Sequence, residues 1–444
     1  MNRYIPVFGI NKALYETDTS DLIKGGVRMG SIKGFGKDFI LMVIGQIISL
    51  FGNAILRFVL SLYVLDTTHS ATIFGGILAI SMIPSVLISP IGGILADRIN
   101  RRNIMVGLDF ITSALIVGFA LLLKMSNPIL LIGIVMIILG CIQSFYQPSV
   151  QASIPSLVGE KHLVAANGIV TQVSALANLF GPIIGGLLYA LTDMSWILVI
   201  SALCFLISAI MECFIKIPFV KKVDTQGVLK IIIGDTKEAI HFLKNEQPIL
   251  LRMLFIIAAL NLFLSALLAV GLPYILNVTL KVGSQYYGFA QATLAVGSIV
   301  GALLSGIASK KVKMKESYLF LFAACLGLLP IAIGGYLTQM PMIAYVIIIV
   351  GEVICIMFST LFNIFAITFV QTHTPNELMG KIIAFVVAIA TCAYPLGQAM
   401  YGVLFDVLKS QVWLVVVIGT AFSLLITVVA QSNLRKLEES GATA

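Results

Sequence analysis

Apolar residues gather in long runs along this chain, and short polar stretches punctuate them. The first run, 39–64, reads FILMVIGQIISLFGNAILRFVLSLYV and breaks at Asp66-Thr67-Thr68-His69. Others follow at 71–96, 104–125, 128–150, 163–190 and 196–216, and then, after a polar connection, at 248–275, 285–308, 316–337, 342–368, 380–406 and 411–433. Each is long enough to cross roughly 30 Å of hydrocarbon, which takes about 20 residues of helix. The short alternating segments of an outer-membrane barrel are absent. The pattern predicts an all-α membrane protein with twelve transmembrane helices. The longer runs leave room for tilt or kinks.

The polar punctuation carries the charge, and it does so unevenly. With both termini in the cytosol, basic residues crowd the inner side, and only Lys124, Lys281 and Lys409 fall outside, with Arg57 inside the first span. That bias is what orients membrane helices, so cytosolic termini and a cytoplasmic membrane are expected. It also accounts for the net charge of +8. No basic and aromatic stripe lies on one soluble element, so nucleic acid is not an expected partner. Composition agrees: 59% of the 444 residues are hydrophobic and 11% charged, where a soluble chain carries about a quarter charged. The six cysteines all lie in apolar runs without metal-type spacing, which reads as buried free thiols.

A weak repeat divides the chain. Gly75 and Gly288, Gly93 and Gly306, Pro182 and Pro395, and Asp193 and Asp406 are each separated by the same offset, and the two tryptophans, Trp196 and Trp413, open the sixth and twelfth spans. Duplication into two pseudo-symmetric six-helix halves follows. The expected organisation is a cytosolic extension (1–37), an N-terminal half (38–216), a cytosolic linker (217–247), a C-terminal half (248–433) and a tail (434–444). Within the linker, Val228 to Leu243 mixes apolar and charged residues, which suits either an amphipathic helix on the membrane surface or an ordinary linker helix.

The turn after the second span reads GGILADRINRR. Its Gly93, Asp97, Arg98, Arg101 and Arg102 resemble the loop G-x-x-x-D-R-x-x-R-R of the major facilitator superfamily. The resemblance implies a latch between the two halves on the cytosolic side, and Asp109, early in the next span, is placed with it. Gly168, Ala177, Gly181, Pro182, Gly185 and Gly186 resemble the glycine-rich antiporter motif of drug-efflux members, with Ala177 where the motif has glycine. Gln46 to Ser49, Gln147 to Pro155 and Ala165 to Gly168 look like the macrolide-efflux type of drug–proton antiporter, and bacterial siderophore exporters are similar too. Span 4 has no arginine, so the resemblance does not extend to the R-x-x-Q-G pattern of many proton-driven exporters.

Ionisable residues within spans are costly and therefore candidates for function. Arg57 and Glu352 come to similar depth and are the expected proton-coupling residues, able to pair across the cavity. Glu212 is expected to reach the interface or pair with Lys216. Gln46, Asn53, Gln143, Tyr146, Asn261, Tyr394 and Gln398 are the expected substrate-cavity residues. The sequence has no phosphate-binding G-x-x-x-x-G-K-[ST] and no intramembrane histidine cluster, so no cofactor, metal site or enzymatic activity is expected. The expectation is a monomeric secondary transporter in the lipid bilayer, exporting hydrophobic or amphiphilic small molecules of drug or macrolide type against protons. A siderophore or metabolite exporter, an importer of the same fold, and a non-transporting sensor or scaffold are the alternatives.

Overall fold

The computed structural model describes residues 35–123, 127–159, 162–217, 228–375 and 378–439. The extension before residue 35, the linker segment 218–227, Lys124, Lys161 and the end of the tail lie outside the described residues. Helices account for nearly all of the rest, and no strand occurs among the described residues.

The N-terminal half comprises α1 (Lys37–Thr68), α2 (Ala71–Arg98), α3 (Arg101–Leu122), α4 (Pro128–Leu157), α5 (Leu163–Leu191) and α6 (Met194–Glu212). A short helix, α7 (Val228–His241), precedes the second half. That half begins with one interrupted span, Pro248–Thr279. It consists of α8 (Pro248–Leu260), a π-helical turn (Asn261–Ser265), α9 (Ala266–Pro273) and a second π-helical turn (Tyr274–Thr279). Five spans complete it: α10 (Ser284–Ala308), α11 (Tyr318–Tyr336), α12 (Pro341–Thr372), α13 (Met379–Val407) and α14 (Val412–Glu439). Among the described residues, eleven helices are long and apolar enough to span a membrane. The remaining span, α2, is helical throughout, with its apolar stretch at Ala71–Ser85.

Side chains in the connections start several of these helices. Ser70 accepts from the Ile73 amide at 3.2 Å, Asn127 from Ile129 at 3.0 Å, and Asn100 from Arg102 at 3.1 Å. Each satisfies a donor that the first helical turn leaves free. Around the bundle, large apolar side chains point outward, among them Leu87, Leu121, Leu303 and Val407, each about 70% exposed. Such a surface requires lipid rather than water. Trp196 is exposed at the start of α6, and Trp413 meets Tyr336 edge-on at 6.0 Å, as aromatic anchors at a membrane interface do. The linker helix α7 rests on the second half: Ala239 joins a cluster with Met253, Phe362 and Ile382, and Glu238 pairs with Lys381 at 2.6 Å.

The loops with Arg98–Arg102 and Lys310–Lys315 define a basic end of the bundle. At that end the halves have separate cores, one around Met42, Tyr146 and Val150 and another around Met253, Phe362 and Val370. Towards the opposite end one core is shared, in which Phe58, Leu62 and Phe74 pack with Tyr274, Tyr401 and Phe405. Two helix pairs make this junction, α2 with α13 and α5 with α10. A Cβ on Gly75 would lie 2.5 Å from the Gln398 carbonyl oxygen, and one on Gly288 would lie 2.7 Å from that of Pro182. A Cβ on Gly402 would meet the Ala71 carbonyl at 2.7 Å, and one on Gly186 that of Ser284 at 2.7 Å. The repeat in the sequence thus becomes two matching seams, and only glycine permits backbones that close.

These distances leave no room for a side chain. Gly288→Val is expected to hold α5 and α10 apart and raise labelling of a Ser284→Cys reporter by a membrane-impermeant maleimide. Labelling equal to the parent would show that the seam tolerates a side chain.

Candidate functional site

The seal opposite the basic end has a polar tie as well as glycine seams. Asp406, at the end of α13, caps the start of α2 in the other half. Its carboxylate accepts from Ser70 Oγ at 2.5 Å, from the Ala71 amide at 2.8 Å and from the Thr72 amide at 2.9 Å. A carboxylate at a helix N-terminus satisfies free amides and meets the positive end of the helix dipole.

Beneath this seal lies a cavity of about 470 Å³ between the halves. Arg57, Phe58 and Phe74 line it from the first half, and Tyr287, Gln291, Tyr394 and Gln398 from the second. Phe58 stacks on Tyr287 at 5.0 Å across the divide. A second cavity of about 500 Å³ shares Met82, Ser265 and Tyr394 with the first. It runs towards the basic end along Asn261, Asn363, Val370 and Ile383. Together they form an apolar passage, closed at one end, with a few polar groups, as small-molecule sites have. Asn261 and Ser265 bound a π-helical turn, a distortion that frequently marks function.

Of the seven expected cavity residues, Asn261, Tyr394 and Gln398 line these cavities. Asn53 and Gln143 are half-buried and line neither. Gln46 is fully buried with neither amide atom partnered. Tyr146 faces inward within the first half and donates to Glu212 Oε1 at 2.8 Å. Sequence reading missed Asn363, Ser265 and Gln291, because polar residues inside spans do not announce which face they occupy. It also missed Asp406 as a tie, although its repeat partner Asp193, one residue before α6, was a signal.

Arg57 and Glu352 are not brought together: among the described residues neither side chain has an ion pair or hydrogen-bond partner. Arg57 lines the central cavity. Glu352 is fully buried, with both carboxyl oxygens unpartnered. Thr293 stands beside that carboxyl, but its hydroxyl donates to the Ala290 carbonyl at 2.7 Å. One helical turn along α12 from Glu352, Ile356 lines the cavity.

A second pair of buried acids sits within the first half. Asp109 accepts from Ser49 Oγ at 3.1 Å, and Glu212 takes the Tyr146 bond. Glu212 therefore does not reach the interface or pair with Lys216; it is fully buried against Gly45, where a Cβ would lie 3.3 Å from its Cγ. Tyr146→Phe is expected to lower stability by about 1–3 kcal/mol by leaving a buried carboxyl without its donor. A melting temperature of the solubilised protein equal to the parent's would refute that.

In the basic turn, Gly93 and Asp97 lie in the last turns of α2, the surroundings of Gly93 and the side chain of Asp97 are outside what the structure describes, and Arg98 is exposed. Arg101 donates to the Ala96 carbonyl at 3.0 Å and across to the Ala152 carbonyl at 2.7 Å and Ser156 Oγ at 3.0 Å. Arg102 donates to the carbonyls of Glu212 and Cys213. These contacts brace α2, α4 and α6 within one half, each cation at a helix C-terminus. Asp109 is bonded to Ser49 rather than to the turn. In the glycine-rich stretch of α5, a Cβ on Gly181 would lie 2.5 Å from that of Ala54, and one on Gly185 would lie 2.9 Å from Phe58 Cδ1. Ala177 packs with Leu50 and Val173. Pro182 and Gly186 form the seam with α10, whereas a Cβ on Gly168 would meet nothing.

Asp406→Ala removes the tie while leaving both helices intact. Access of the same maleimide to Ser284→Cys is expected to rise severalfold, and unchanged access would show that Asp406 does not hold the halves.

A family model described as "Major Facilitator Superfamily" matches residues 42–397. The chain is similar to macrolide efflux protein A of Streptococcus pyogenes, 23% identical over 378 residues that cover 83% of this chain and 89% of that one. It is also similar to the enterobactin exporter EntS of Escherichia coli O1:K1 / APEC, 25% identical over 347 residues covering 75% of each. Among solved structures, a bacterial homologue of the human lysosomal transporter Spinster, inward-facing and unoccupied, superposes with a TM-score of 0.70. That match has 13% identity and covers 92% of this chain and 99% of the other. A bacterial homologue of the iron transporter ferroportin, also inward-facing, gives 0.65 at 15% identity, covering 88% and 98%. At such identities the structures speak for the fold alone.

Proposed function

Because the chain belongs to the Major Facilitator Superfamily, we propose that it exports hydrophobic or amphiphilic small molecules across the cytoplasmic membrane by proton antiport and alternating access. The observation that carries this reading is the apolar passage between the halves, closed at one end by two glycine seams and Asp406. The positive-inside rule makes the basic end cytosolic. A solute would then enter the passage from the cytosol or inner leaflet, and rocking of the halves would open the far end. The macrolide and enterobactin exporters among the relatives support export, and a siderophore or other metabolite as cargo is the second form of the same reading.

Glu352 is the proton carrier in this proposal. Burying a carboxylate with neither cation nor donor is costly, and a bound proton removes that cost. Tyr287 lies near Glu352 and also lines the cavity, so a change at the carboxyl reaches the solute through one side chain. Arg57 faces the solute. The turn from Asp97 to Arg102 would close the cytosolic side when the far end opens. Its arginines are meanwhile engaged with their own half.

The test uses everted vesicles, an imposed proton gradient, and a panel of fluorescent amphiphiles with a macrolide. Gradient-dependent accumulation that falls at least about tenfold in Glu352→Gln supports the reading, a loss of the size expected for a positioned proton-transfer group. Accumulation unaffected by Glu352→Gln removes the proton from that residue. Accumulation only in right-side-out vesicles makes the protein an importer.

A further inference from the structure

We infer that the central cavity selects amphiphiles bearing an anionic group, and that Arg57 is the residue that receives it. The inference rests on the transport reading only for calling the occupant a cargo. Among the described residues that line the two cavities, Arg57 alone is charged. Its guanidinium has no partner among the described residues. The nearby hydroxyl of Ser61 donates to the Arg57 main-chain carbonyl at 2.7 Å. Gln291 spends an amide proton on the Tyr287 hydroxyl at 3.1 Å. Glu352 does not line the cavity.

A guanidinium presents five donors in a planar fork that matches a carboxylate or similar oxyanion in two parallel bonds. Here it stands among Phe58, Phe74, Leu78, Met82 and Leu268, where water screens poorly and the field of one cation is strong. A cationic amphiphile would meet this charge with no lining acid to offset it. A neutral one brings a single carbonyl or hydroxyl oxygen to part of the fork and no counter-charge, so it leaves donors unmatched and the charge uncompensated. An anionic amphiphile satisfies the fork with its head and the apolar wall with its body.

The experiment is equilibrium binding to the purified full-length protein, with dansylated undecanoic acid, its carboxamide and its terminal-amine analogue as probes. The acid is expected to bind about tenfold or more tightly than the amide, the value of one charged, paired contact, and the amine most weakly. That preference should vanish in Arg57→Gln and survive in part in Arg57→Lys, which keeps the charge and loses the fork. Equal binding of acid and amide by the parent protein, or a preference that persists in Arg57→Gln, overturns the assignment. The parent comparison needs no variant, so misfolding of a substituted protein cannot obscure it. Arg57-dependent binding of the acid without its accumulation in everted vesicles would sink the export reading and leave this assignment standing. Accumulation of a macrolide together with equal binding of acid and amide would do the reverse.

Discussion

Everything in this molecule depends on how closely two membrane-embedded backbones can approach. Lipid tails are as apolar as leucine, so burial gives helices little reason to associate, and contact must come from packing and polar bonds. Gly75 against α13 and Gly288 against α5 supply that contact between the halves. Both seams lie towards the same end, so the halves splay at the other and leave the passage between them. The cavity is the geometric consequence of where the glycines are, and Asp406 adds direction to the closure by seating the start of α2 on the end of α13.

The polar groups obey the same constraint. Many serine and threonine hydroxyls bond the carbonyl one turn back in their own helix, as Ser144, Ser149, Thr420 and Ser423 do. That arrangement hides a polar group without involving a neighbour. Among the described residues the exceptions are few: Glu352, Gln46, one oxygen each of Asp109, Glu212 and Gln398, the hydroxyls of Ser201 and Ser359, and the guanidinium of Arg57. Buried polar groups left without a partner are uncommon, and charged ones inside a membrane are costly, which is what singles out Glu352 and Arg57 as candidates for function.

Spans, their number and the two-half architecture were legible in the sequence because lipid imposes length and composition on each helix independently. The repeat was legible because glycines and prolines at a common offset mark backbone geometry, and one such pair, Gly75 and Gly288, lies in the seams, Gly288 against Pro182. Site residues were less legible. Arg57 and Glu352 stand out in any reading as charges inside spans, but their separation depends on helix rotations that periodicity alone does not give. Glu212 looked like an interfacial residue because it lies near a helix end. Gly45 and Tyr146 draw it inward, and those contacts come from α1 and α4, far away in the chain. The Asn261–Ser265 turn was invisible, since a π-helical insertion leaves no mark on an apolar run.

Separation of Arg57 from Glu352 changes how coupling would operate on the proposed reading. Two charges that paired permanently would stabilise one conformation and have little to exchange. A cation facing the cavity and a carboxyl behind it, both without a partner among the described residues, with Tyr287 near the carboxyl and lining the cavity that Arg57 faces, are two sites of opposite preference. Coupling needs each ligand to bind differently in the two conformations. On that reading the seams, closed here, would part in the second conformation. An anion at Arg57 and a proton at Glu352 would each relieve a charge left uncompensated when the wall is empty. Rocking that moves α1 relative to α10 and α12 would alter both sites in one motion, since Phe58 of α1 stacks directly on Tyr287 of α10.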